Sequence, residues 1–210
     1  MNGMIKNWLI TGDTHGKTAQ RLAYIKETMP EYKPEETAVI ILGDVGFNYY
    51  KNKKDWKAKH QASEFGYTLY CLRGNHEDRF SNSKTEIIYQ HDPNVSGMIM
   101  YEDEFPKIKY FLDWVNSYII MSKKVLTIPG AYSVDKWYRL QNNWMWFAEE
   151  QLTEVEMKFA EKVFGKEHYV HFCCSSFCGN GLCLSFPSHS ADAGIYPDHW
   201  RSRLLLCHGA

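Results

Sequence analysis

Short apolar runs alternate with charged, helix-compatible stretches through the first third of the chain. Asn7 to Thr11 (NWLIT) predicts a strand that stops at Gly12, and Lys17 to Thr28 predicts an amphipathic helix. Thr37 to Leu42 (TAVIIL) is almost wholly apolar and rich in β-branched residues, the pattern of a strand buried on both faces. Lys51 to Glu64 is charged and suits a helix, and Tyr67 to Leu72 (YTLYCL) predicts a third strand ahead of Gly74. Strands alternating with helices imply an α/β layered fold.

Farther along, the pattern turns to strands. Met98 to Tyr101, Tyr118 to Met121 and Val125 to Ile128 predict short strands, the last running into Pro129-Gly130-Ala131-Tyr132. The aromatic span Trp137 to Phe147 follows, and aromatic residues at that density predict core rather than a pocket rim. Thr153 with Glu156 three residues on forms a capping box that starts a helix from about Glu154 to Phe164. Tyr169 to Phe172 predicts a last strand.

Composition then changes abruptly. Residues 1–167 hold 45 of the 49 charged side chains, and the rest of the chain has neither lysine nor glutamate. That remainder carries five of nine histidines and five of six cysteines, with no sustained helical or strand period. The chain thus reads as a domain over 1–170 followed by an atypical Cys/His/Ser-rich tail over 171–210, to which no secondary structure is assigned. The favoured reading of the tail is a frameshifted or recombined end. A cysteine/histidine metal site is disfavoured, because Cys173, Cys174, Cys178 and Cys183 lack the paired C-x₂-C spacing of zinc modules. A divergent native tail, in which His171, His189, His199 or His208 acts as a ligand, is the third reading.

Overall charge narrows the function classes. A formal net charge of −1 provides no global field toward nucleic acid or an anionic membrane. The apolar run Trp8 to Ile10 is too short for a secretory signal, and no run approaches the ~20 residues of a membrane span. The chain is expected to be soluble and cytoplasmic, with its cysteines as free thiols. The basic stretch Lys51 to Lys59 (KNKKDWKAK) could touch phosphates, but the solvated face of a helix is the preferred reading.

Each of the first three predicted strands ends in a glycine-bearing turn that carries metal-ligand residue types. The turns are Gly12-Asp13-Thr14-His15-Gly16, Gly43-Asp44-Val45-Gly46 and Gly74-Asn75-His76-Glu77. Ligands bind beyond the carboxyl ends of strands in open α/β sheets, so these turns should converge on one edge. Carboxylate, imidazole and amide oxygen are donors suited to Mn, Fe or Zn. A bridging carboxylate can hold two such ions about 3.5–4 Å apart, where they deprotonate a shared water for in-line displacement at phosphorus. A histidine that is not a ligand can protonate the leaving oxygen.

The series GDTHG, ILGDVG and LRGNHE resembles the calcineurin-like metallophosphoesterase superfamily. LGDVGFNYYKNK, GAYSVDKWYRL and WFAEEQ extend the likeness, toward a small bacterial or phage branch, as far as about Tyr169 or Val170. The resemblance implies a two-sheet β-sandwich flanked by helices with a dinuclear centre at its edge. By motif position Asp13 and His15 would bind one metal, Asp44 would bridge, Asn75 would bind the other, and His76 would be the general acid. Two departures stand out. Protein-phosphatase members place an aspartate three residues after the bridging carboxylate, where this chain has Phe47. The family also completes its site with a histidine after a later strand and a Gly-His-x-His turn, and this sequence contains no Gly-His-x-His.

The expected function is hydrolysis of phosphomonoesters or phosphodiesters by a metal-bridging hydroxide, impaired by loss of the C-terminal histidines. The rival is an inactive scaffold or binding protein that keeps the fold without the metals, and a nuclease is disfavoured. Substrate identity and subunit number are not encoded in these motifs.

Overall fold

The computed structural model describes residues 5–164, 170–173 and 205–208. The first half runs β1 (Asn7–Gly12), α1 (Thr18–Thr28), β2 (Thr37–Leu42), α2 (Lys53–Ser63), β3 (Thr68–Leu72), β4 (Ile87–Asp92) and β5 (Gly97–Glu102). It continues with β6 (Ile108–Phe111), β7 (Asn116–Ile120), β8 (Lys123–Ile128), α3 (Lys136–Gln141), α4 (Glu154–Phe164), β9 (Val170–Cys173) and β10 (Leu205–His208). The strands form two sheets, ordered β10-β1-β2-β3-β6-β5-β4 and β7-β8-β9. Strands β1, β2, β3 and β6 run parallel, so their carboxyl ends share an edge.

Alternation along the central strands fills two separate cores. Leu9, Val39, Ile41, Leu69 and Cys71 pack with Leu22 and Ile25 of α1 and Ala62 of α2. Their neighbours Trp8, Ile10, Ala38, Ile40, Tyr70 and Leu72 pack with Tyr118, Ile120 and Val125 of the second sheet. A third cluster joins Leu126 and Ile128 of β8 to Ala160 of α4. The order of layers is helix, sheet, sheet, helix: a β-sandwich flanked by helices, as the resemblance implies. Strand β2 is buried at every position, which is why its sequence is nearly all apolar.

Local sequence rules explain the helix ends. Asn52 caps α2 by accepting from Lys54 N at 2.8 Å. The capping box at α4 forms as expected: Glu156 Oε2 accepts from Thr153 N at 2.8 Å, and Thr153 Oγ1 accepts from Glu156 N at 3.3 Å. No helix among the described residues is long and apolar enough to cross a membrane. Cys71 is a free, buried thiol.

Three expectations are corrected. The aromatic span Trp137 to Phe147 is not core: Trp137, Tyr138 and Trp144 are each more than half exposed, while Arg139 is fully buried. The stretch Lys51 to Lys59 is not simply a solvated face. Lys59 is buried and paired with Glu102 at 2.5 Å, and Lys51 pairs with Asp78. The pair survives burial because Tyr110 and Thr85 hydroxyls also donate to Glu102. The tail is not wholly without regular structure, since Leu205–His208 pairs antiparallel with β1.

Candidate metal centre

The turns after β1, β2 and β3 meet on Asp44. Its carbonyl accepts from Thr14 N at 3.2 Å and His15 N at 2.7 Å, which ties the first turn to the second. Its carboxylate accepts from His76 N at 2.9 Å, which ties the third turn to the same residue. His15 and Asp44 both hold φ of 44°, in the left-handed region that non-glycine residues seldom adopt. Such conformations cost on the order of 1–3 kcal/mol and persist where the surroundings over-determine them. Here the cross-turn hydrogen bonds supply that determination.

Asp13, His15 and Asp44 bring one ligand atom each within 4.8 Å of one another. His15 Nε2 lies 3.9 Å from Asp13 Oδ2, and the rings of His15 and His76 meet edge to face at 5.7 Å. Asn75 is buried and gives its amide nitrogen to Ser133 Oγ at 3.0 Å, so only its oxygen can serve a cation. Burial holds the Asp44 carboxyl above the ordinary carboxylate range, against the pull of the His76 N–H. Two carboxylates, an imidazole and an amide oxygen at one edge, graded from buried Asp44 to exposed His15, form a donor set that fits a divalent ion. The structure brings Asp13, His15, Asp44 and His76 together, and Asn75 precedes His76 in the third turn. A cavity of about 230 Å³ is lined by His15, Asp44 and His76 together with Tyr49, Tyr50 and Glu77.

Glu77 was not among the expected site residues, yet it clamps the turns. Its fully buried carboxylate accepts from Gly46 N at 2.6 Å, Phe47 N at 3.4 Å and Gly74 N at 3.0 Å. Burial, then the charge of Asp44, push its pKa up to about 8 against those three N–H groups. A raised acid pKa means that the folded state holds the proton more tightly than the unfolded chain. Stability of the metal-free protein should therefore fall as pH rises from about 4.5 toward about 8. Asp92 and Glu156, whose pKa values are lowered, finish titrating below that window. Urea melts of Glu77→Gln across pH 5 to 8 should show a flatter decline than wild type; an unchanged slope would assign it elsewhere.

A second group that the sequence did not disclose lies in the segment from Ser133 to Arg139. Buried Arg139 donates to Ser133 Oγ at 2.9 Å and pairs with Glu150 at 3.2 Å. Ser133 in turn holds Asn75 through both its amide nitrogen and its carbonyl. Asp135, at the start of α3, sets Oδ2 3.9 Å from His76 Nε2. Phe47 is buried in the core and brings no carboxylate to His76. The signal for these roles was the GAYSVDKWYRL segment, legible as a resemblance but not as chemistry.

The tail histidines divide by position. His208 pairs with Asn7, at the far end of β1 from Asp13, about 20 Å along the strand. It is therefore corrected as a substitute ligand. His171 lies inside β9 opposite Leu126, two residues before that strand ends on the site's side of the sheet. His189, His199 and the stretch proposed as a cysteine/histidine site beyond Cys173 lie outside the described residues.

No curated protein matches the chain. The family model of the calcineurin-like phosphoesterases matches residues 7–192, past the point near residue 170 where the motif resemblance stops. With its three glycine turns meeting on one carboxylate and most of its length inside that match, the chain belongs to the calcineurin-like phosphoesterase family.

Proposed function

We propose that the chain is a metal-dependent phosphoesterase in which Asp13, His15 and Asp44 would hold one ion and Asp44 and Asn75 a second. His76 protonates the leaving oxygen. The convergence of the Asp13, His15 and Asp44 donor atoms, two of these residues lining a cavity, is the observation that carries this reading. Divalent ions, with Mn, Fe and Zn suiting these donors, would supply Lewis-acid activation of water and of the phosphoryl group. The chain's own residues fix the geometry. Asp44 locks the three turns, Ser133 commits the Asn75 amide nitrogen, and Tyr49 and Tyr50 narrow the cavity against bulk water.

The substrate is a small phosphomonoester or phosphodiester. Nucleic acid is disfavoured because Lys51 and Lys59 are committed to Asp78 and Glu102 and Lys54 lies over the Tyr50 ring. Asp44 and Asn75 are the only second-ion ligands assigned among the described residues, so turnover of an aryl phosphate should be slow. The test is a thermal melt of purified protein with Mn²⁺. Binding to the folded state at 100 times Kd adds about 2.7 kcal/mol, a rise of about 5–10 °C for a chain of this size. A melting temperature indifferent to Mn²⁺, Zn²⁺ and Fe²⁺ would overturn the reading and leave a metal-free scaffold.

A further inference from the structure

We propose that Asp135 is the positioning carboxylate for His76, turning its imidazole toward the leaving oxygen. The inference rests on the phosphoesterase reading of the site. Asp135 occupies the N-cap position of α3, where an aspartate normally accepts from the helix's own N–H groups. It makes no such side-chain bond. Its carboxylate instead faces His76 Nε2 at 3.9 Å through Oδ2 and Arg139 Nη1 at 3.7 Å through Oδ1.

Arg139 does not need Asp135 to be satisfied. It already has Glu150 at 3.2 Å, Ser133 Oγ at 2.9 Å and the Met145 carbonyl from both Nε and Nη2. The Arg139 contact therefore aims Asp135, and His76 is what it is aimed at. The separation is ion-pair range, and contacts of this kind in substrate-free sites commonly tighten to hydrogen bonds when substrate binds. The Ser133–Arg139 segment thus serves both halves of the third turn: Ser133 fixes Asn75, and Asp135 fixes the neighbouring histidine. With Nε2–H engaged by a carboxylate, the other ring nitrogen and the ring's orientation become single-valued.

The test compares wild type, Asp135→Asn and Asp135→Glu with Mn²⁺ on two esters of different leaving-group basicity. Phenyl phosphate needs protonation of its leaving oxygen, whereas 2,4-dinitrophenyl phosphate barely does. Asp135→Asn should lower kcat for phenyl phosphate by more than about tenfold with KM little changed, and should cost the dinitrophenyl ester at most about threefold. Asp135→Glu should restore a large part of the phenyl phosphate rate. Equal losses on both esters would make Asp135 merely structural and overturn the proposal.

A second measurement does not depend on turnover or on the variant folding. In ¹⁵N-histidine spectra of metal-free wild type at about pH 8.5, the neutral form of His76 should be the Nε2–H tautomer. An Nδ1–H tautomer or an even mixture overturns the proposal. Failure of the phosphoesterase reading would instead show as wild-type protein that hydrolyses neither ester, with the His76 tautomer still deciding the Asp135 contact.

Discussion

Asp44→Asn should abolish the Mn²⁺-induced rise in melting temperature while leaving the metal-free protein as stable as wild type or more so. The two halves of that result have separate causes. Asparagine tolerates the left-handed backbone that residue 44 adopts at φ of 44°, so the turn survives. Its carbonyl still receives Thr14 and His15, and its amide oxygen can still accept from His76 N. What disappears is a buried negative charge. Burial already disfavours that charge, as the raised pKa of Asp44 indicates, so its removal relieves the metal-free fold at neutral pH and above. Loss of the ligand shared by both proposed ions should also reduce Mn²⁺-dependent ester hydrolysis by at least about 10³-fold, as the loss of several kcal/mol of transition-state stabilisation requires. A substituted protein that still gains several degrees from Mn²⁺ would remove Asp44 from the metal site.

The sequence disclosed the parts of this molecule in which one residue's chemistry matches its own local pattern. Strand β2 is apolar throughout because both its faces are covered, and the glycines after β1, β2 and β3 stand where the three turns approach one another. The Thr153–Glu156 capping box is local by construction and reads directly. Strand β4 was missed because its second half, Gln90 and His91, is exposed at the edge of its sheet and carries no alternation. Strand β6 is four residues with Lys109 in the middle, too short for a period to show. Helix α3 misled in the other direction. Its aromatic residues face outward and its buried member is Arg139, whose partners Ser133 and Glu150 come from the segments on either side. Glu77 escaped notice as a clamp for the same reason: two of its three N–H donors lie in a turn 30 residues away.

The glycine of the third turn should prove nearly as sensitive as the bridging ligand itself. A Cβ at Gly74 would overlap Asp44 Oδ1 and the Asp44 backbone nitrogen and approach Asp44 Cγ to 2.7 Å. Gly74 does not adopt a positive φ, so alanine carries no backbone penalty there; the whole effect comes from the contact. Rotating the Asp44 side chain does not relieve it, because the second overlap is with backbone and because His76 N holds that carboxylate. The third turn must then move away from the second. That movement strains the Glu77 contacts to Gly46 N and Phe47 N, which span the same gap. Overpacking costs about 1–3 kcal/mol, and each lost buried hydrogen bond adds about 1 kcal/mol. At about 2–4 °C per kcal/mol, Gly74→Ala should melt roughly 5–15 °C below wild type and lose most of its Mn²⁺ response. Gly12→Ala is the matched control, since nothing lies within 4 Å of a Cβ at that position and its turn carries the same chemistry. It should keep both the melting temperature and the Mn²⁺ shift. Equal behaviour of the two alanine variants would mean that the approach of the third turn to Asp44 does not set the metal site.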